Sequence, residues 1–161
     1  MRNTTICYIE RDNKYLMLHR IKKDASVDPS HNKWIGVGGK FEKDESPDEC
    51  IIRETKEETG LELISPKLRG IATFISDEWE TEYMFIFTAD NFSGDLAEDC
   101  NEGNLKWIPK DEVMDLPVWE GDKIFLKLLI DDAPFFLLKL VYEGEKLVKY
   151  TLNKNILDKI F

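Results

Sequence analysis

The stretch from Gly38 to Leu61, GGKFEKDESPDECIIRETKEETGL, constrains this chain more than any other. A glycine pair leads through an acidic turn into a segment crowded with glutamates. Ser46 suits an N-cap, Pro47 the first helical position, and Asp48 and Glu49 the positive end of a helix dipole. Gly60 supplies a left-handed stop. These signals predict a helix of about three turns over Pro47–Thr59. On it Glu54, Glu57 and Glu58 stand at i, i+3 and i+4 and share one face. Ile51, Ile52, Thr55 and Thr59 lie toward the packed side. Like charges at this spacing cost roughly 0.2–0.5 kcal/mol per pair, so a purely structural helix gains nothing by clustering them. A hard divalent cation removes that cost, and Mg²⁺ favours carboxylate oxygens and substrate phosphates. A charge run taken alone is more often a solvated face.

The surrounding spacing separates the two readings. Gly39, Glu45, Arg53, Glu54, Glu57, Glu58 and Gly60 match the pattern Gx5Ex7REUxEExGU at all seven charged or glycine positions. With each such residue near 6–7% of average usage, a chance match is about one in a million. The chain therefore resembles the Nudix hydrolases. Thr55 departs from the pattern, standing where it wants an aliphatic residue. The resemblance implies Mg²⁺, with Mn²⁺ as an alternative, held chiefly by Glu57 and Glu58. It also implies Glu54 as a ligand or general base, and the Gly38 carbonyl as a further ligand. Glu45 and Arg53 read as architecture, tying the acidic turn to the helix. A carboxylate outside the box commonly completes such sites, and Glu102 is the candidate, with Glu98 and Asp99 as rivals.

The 161 residues form one expected domain, 1–161, with 42% apolar residues to fill a core. A net charge of −10 argues against a surface that coats nucleic acid. Cys7, Cys50 and Cys100 form no metal-type pair. Their odd, sparse count, with no signal-like or membrane-spanning apolar run, predicts a reduced, cytoplasmic protein without a membrane partner. Strands are expected over Thr4–Ile9 and Lys14–Arg20, joined by Arg11-Asp12-Asn13, and over Trp34–Val37, Glu62–Ser76, Thr81–Asp90 and Leu105–Ile108. Asn91–Gly103 reads as a loop, Pro109-Lys110-Asp111-Glu112 as the start of a brief helix ended by Pro117, and Asp122–Ile130 as a helix. Phe135–Tyr142 and Lys146–Leu152 flank the hairpin signal Glu143-Gly144-Glu145. This is an α+β pattern. The Nudix resemblance sharpens it to a mixed β-sheet sandwiched between helices, an α/β/α fold.

A narrower likeness runs through TICYIERDNKYLMLHR, KWIGVGGK, CNEGNLKWIP and WEGDKIFLKLLIDDAPFF. These segments resemble the MutT-like oxidised-purine nucleoside triphosphatases, which act on 8-oxo-dGTP. That likeness implies that Trp119 stacks on the purine and Asp122 reads its edge. It puts Thr5 near the base, and Arg20, Gly38, Gly39 and Lys40 near the phosphates. Two departures concern the base: Gly121 stands where relatives carry a second aspartate, and Ile35 where an asparagine often sits. The expected activity is Mg²⁺-dependent hydrolysis of an oxidised purine dNTP to the monophosphate and pyrophosphate, sanitising the nucleotide pool. Other guests, a nucleotide sugar, a dinucleoside polyphosphate or a capped RNA end, keep the box but not the purine reader. A non-catalytic nucleotide sensor would be expected to lose box glutamates, which this chain keeps.

Overall fold

The computed structural model describes residues 1–98 and 100–153, so the alternative carboxylate Asp99 lies outside the described residues. Strand β1 (Arg2–Arg11) organises the molecule: Thr4 to Ile9 are all buried, as befits a strand covered on both faces. Its side chains alternate between two cores. Ile6 and Tyr8 pack with Phe125, Leu126 and Leu129 of the later helix, whereas Cys7 and Ile9 pack with Ile51 of the box helix. Fully burying a large apolar side chain contributes about 1.5–3 kcal/mol, so this one strand anchors a substantial share of both layers.

From β1 the chain turns through Asp12 and Asn13, both at positive φ, into β2 (Lys14–Arg20). β3 (Trp34–Ile35) pairs with β2, and β4 (Val37–Lys40) pairs with β1. Helix α1 (Pro47–Thr59) follows, then β5 (Glu62–Leu63), β6 (Lys67–Ser76), β7 (Glu82–Ala89), β8 (Phe92–Ser93) and β9 (Gly103–Pro109). A 3-10 turn at Val113–Asp115 precedes α2 (Glu120–Ile130), and β10 (Phe136–Glu143) and β11 (Lys146–Leu152) form a hairpin. The main order is β11-β10-β6-β7-β1-β2-β3, with β9 on β2. β1–β7 and β6–β10 are parallel and the remaining pairs antiparallel, giving a mixed sheet between two helices. No helix among the described residues is long and apolar enough to cross a membrane.

Three local expectations are corrected. The run Glu62–Ser76 breaks at Ser65, whose φ of 52° precedes Pro66, a residue without an amide donor. β5 then pairs with β8, inside the segment expected as loop. Trp34–Val37 divides at Gly36, so the glycine pair belongs to a strand rather than a turn. A β-carbon at Gly38 would stand 2.0 Å from the Thr5 carbonyl oxygen of β1, which excludes any side chain there.

Helix α1 has the expected bounds. Ser46 and Glu49 close a capping box, and Gly60 ends the helix at φ 81°. Thr55, the departure from the box pattern, is fully buried and its hydroxyl has no hydrogen-bond partner. An orphaned buried hydroxyl costs about 1–3 kcal/mol. Thr55→Val, which keeps the shape and removes the orphan, is expected to stabilise the protein by roughly 1 kcal/mol, a midpoint rise of about 2–4 °C. A thermal melt checks this; a lower midpoint would mean that the hydroxyl is satisfied in solution.

Candidate active site

A cleft of about 530 Å³ opens along the rim where β1, β4 and the N-terminus of α2 meet. Arg20, Gly38, Gly39, Lys40, Glu54 and Glu102 line one part, and Trp119 and Asp122 another, with Thr5 among the lining residues. The residues expected to bind substrate therefore border a single cavity, together with Glu54 and Glu102, whereas Glu57 and Glu58 are not among its lining residues.

The glutamates are distributed unequally. Glu54 packs its carboxyl group directly onto Gly39, where a β-carbon would come within 2.5 Å of it. Glu58 turns inward, accepting from the Gly38 amide at 3.3 Å, while its Oε2 is buried without a partner. Glu57 is more than half exposed and bonds Arg53 at 3.2 Å. Arg53 clamps Glu45 through two hydrogen bonds of 2.6 and 3.0 Å and donates to the Lys40 carbonyl. That is the geometry of a residue tying the loop to the helix. One residue before Glu54 on the helix, Arg53 would point off the acidic face by spacing alone, yet its guanidinium also reaches Glu54 at 2.9 Å. Glu102 pairs with Arg20 at 2.6 Å, and Arg20 also holds the buried Asp28 at 2.8 Å. Arg20 is thus committed to two carboxylates rather than free for phosphate.

The residues fit a hard cation through their chemistry rather than through a finished cage. Among the described residues, no three acidic, His or Cys side chains stand at ligand spacing. The donors are nevertheless all oxygens, and Glu58 is an inward carboxyl group with an orphaned oxygen. Burial pushes its pKa up to about 9, with Glu102 and then Glu54 adding to the rise. Burial also raises Glu54 against the pull of Arg53, whereas the Arg53 guanidinium holds Glu45 down at about 2. Charge is strained where a cation would sit and relieved where Arg53 sits.

These shifts set a sign for stability. Glu58 is raised from 4.5 to about 9 and Asp122 from 3.8 to about 8, so between pH 5 and 8 the folded state holds protons that the unfolded state releases. Their contribution is full below the unfolded values and is lost as pH rises through the folded ones. Cation-free protein is expected to melt lower at pH 8 than at pH 5. Because a cation requires ionised carboxylate, millimolar Mg²⁺ should raise the midpoint more at pH 8.5 than at pH 6. Melts in chelator and in Mg²⁺ across that range decide it; a midpoint in chelator that rises with pH would contradict these positions.

At the other part of the cleft, Trp119 is half-buried. Its Nε1 donates to Ser30 Oγ at 3.0 Å, Tyr142 meets it edge-on, and Lys33 Nζ lies 4.7 Å from its ring centroid. Asp122 is 4% exposed at the start of α2; burial raises it first, Glu82 next, and Lys33 opposes. Gly121 now has a physical reason. Its amide donates to the Tyr142 hydroxyl at 2.7 Å, and a β-carbon there would lie 2.6 Å from that oxygen. A second aspartate there would have to displace the Tyr142 hydroxyl and the Leu140 methyl groups. Sequence reasoning missed Asp28, Ser30, Lys33, Glu82 and Tyr142. Of these only Glu82 carried a signal, as an acidic residue opening a strand whose later residues are apolar.

The NUDIX domain family model matches residues 1–129. The chain is 32% identical over 158 residues to an uncharacterised Nudix hydrolase of Bacillus subtilis, covering 95% of both proteins. It is 31% identical over 104 residues to the oxidized purine nucleoside triphosphate hydrolase of Danio rerio, covering 64% of this chain and 66% of that one. Among solved structures, the MutT protein of Bacillus halodurans superposes with a TM-score of 0.84 at 30% identity, covering 95% of this chain and 98% of that one.

Proposed function

This chain belongs to the Nudix family, and on that premise we propose that it hydrolyses an oxidised purine nucleoside triphosphate to the monophosphate and pyrophosphate. The observation that carries this reading is the single cleft lined by Glu54 of the box and by Glu102 as well as by Trp119 and Asp122. A nucleotide laid along it would place phosphates by the acids and base by the indole.

In this reading Glu54, Glu57, Glu58 and Glu102, with the Gly38 carbonyl, hold Mg²⁺ or Mn²⁺. The cation would offset phosphate charge and lower the pKa of a bound water. The chain's own residues do the remaining work. Arg53 fixes Glu45 and Glu54 so that the acidic face is ordered before substrate arrives, sparing the reaction that reorganisation. Gly39 leaves space for the Glu54 carboxyl group, which stands in the cleft wall as the candidate base. Its pKa, raised by burial, moves toward the range in which a general base works at neutral pH. Lys40 and Arg20 lie by the phosphate path; Arg20 would have to loosen from Glu102 to bind it. Trp119 and Asp122 select the base, whereas the buried Thr5 hydroxyl, expected near the base, faces Cys50 Sγ on the side of α1.

A nucleotide panel with Mg²⁺ tests the reading: 8-oxo-dGTP, dGTP, dATP, a nucleotide sugar and a dinucleoside polyphosphate. The expected result is the highest kcat/KM for 8-oxo-dGTP with release of pyrophosphate. Preferential cleavage of the sugar or dinucleoside compound would overturn it.

A further inference from the structure

We propose that Glu82 is a base-selecting residue, forming with Asp122 a two-carboxyl edge that favours a purine of guanine type over one of adenine type. This deepens the reading above and rests on it. Glu82 opens β7 and lies beside Arg2 of β1 and opposite Phe74 of β6 in the sheet register. Its carboxylate is held from both sides: Thr4 Oγ1 donates to Oε2 at 2.7 Å, and an Arg2 guanidinium nitrogen lies 3.5 Å from Oε1. The side chain is 23% exposed, and it borders the same cleft as Trp119, Asp122 and Phe74. It is a fixed acceptor on that wall rather than a solvated surface acid.

Complementarity supplies the direction. The Watson–Crick edge of a guanine-type purine presents an exocyclic amine, a ring N–H and a carbonyl in sequence. A carboxylate accepts from the first two. Asp122, held up to about 8, carries a proton at neutral pH and offers a donor to the carbonyl. An adenine-type purine gives Glu82 one donor, its exocyclic amine, where a guanine-type purine gives two, and it has no carbonyl for Asp122 to reach. Edges read by polar groups reject such mismatches strongly, because the unpaired groups stay desolvated.

The test compares wild type with Glu82→Gln on 8-oxo-dGTP, dGTP and dATP, alongside calorimetric binding of 8-oxo-dGMP and dAMP without metal. Glu82→Gln should lower the guanine-to-adenine ratio of kcat/KM at least tenfold through KM, with a matching loss in the monophosphate Kd ratio. An unchanged ratio overturns the role of Glu82 and leaves the proposed function standing. A wild type that cleaves none of the three triphosphates overturns both. Thr4→Val, close in shape and lacking the donor that fixes the carboxylate, is the second variant if Glu82→Gln does not fold. A shift of at least twofold in the same direction supports the role, and no shift overturns it.

Discussion

Glu58→Gln is expected to lower turnover at least a hundredfold while leaving the fold intact. The substitution keeps the side-chain shape and retains an oxygen that can accept from the Gly38 amide. What it removes is the oxygen, buried and unpartnered in the present structure, that would become anionic when a cation binds. Losing one electrostatic stabiliser of this kind costs roughly 2.7–4 kcal/mol of transition-state binding elsewhere, which sets the magnitude. Stability should move the other way. At neutral pH the cation-free carboxyl group already carries a proton, so the amide resembles it and the melting midpoint in chelator should equal or exceed that of wild type. The Mg²⁺-dependent rise in midpoint should shrink. Glu57→Gln should also cut turnover a hundredfold, although its exposure and its Arg53 pairing make its stability effect smaller. Rates at saturating Mg²⁺ with a melt for each variant are the measurement. Near-normal turnover in Glu58→Gln would remove the cation-ligand assignment.

Trp119→Ala is expected to raise KM by about ten- to a hundredfold, since a stacked base contributes roughly 1–3 kcal/mol. The structure adds a condition. The indole also holds Ser30, and with it part of the 21–33 loop, so a KM rise alone could come from a loosened loop. Asp122→Asn separates the causes. It leaves the indole in place and exchanges a carboxyl group for an amide within the same volume, so it should change the ratio of 8-oxo-dGTP to dATP hydrolysis, two nucleotides that differ at the edge Asp122 faces. Measuring kcat/KM on both nucleotides in all three proteins resolves the question. A constant ratio together with an unmoved KM would make the Trp119–Asp122 stretch structural and leave only a broader Nudix hydrolase reading.

Much of this architecture was legible because local chemistry and global packing agree. Helix α1 is specified by Ser46, Pro47 and Gly60, signals that act within a few residues of the backbone they control. The hairpins at Asp12-Asn13 and Gly144 are equally local. The β5–β8 pair was not legible, because two-residue strands carry no period and depend on partners about thirty positions apart. The side-chain network around the cleft was hidden for the same reason. Arg20 meets Glu102 across 82 positions and Trp119 meets Ser30 across 89, so each looks unpaired in sequence. Arg53 was half read. Its tie to Glu45 follows from the box resemblance, but its reach to Glu54 depends on a rotamer that sequence does not encode.

The alternation along β1 has a consequence for how such a protein could change its diet. Odd-numbered positions answer to the helix bearing the acids, and even-numbered ones to the helix whose first turn bears Asp122. Under the proposed function, mutations on the even side would redraw the recognised base while the acidic helix behind the other face keeps its packing. A single-residue deletion within β1 would exchange the two sets at once and lose both. On that reading substrate choice would drift by point substitution at Thr4, Glu82 or Tyr142, whereas the cleavage chemistry would stay locked to register.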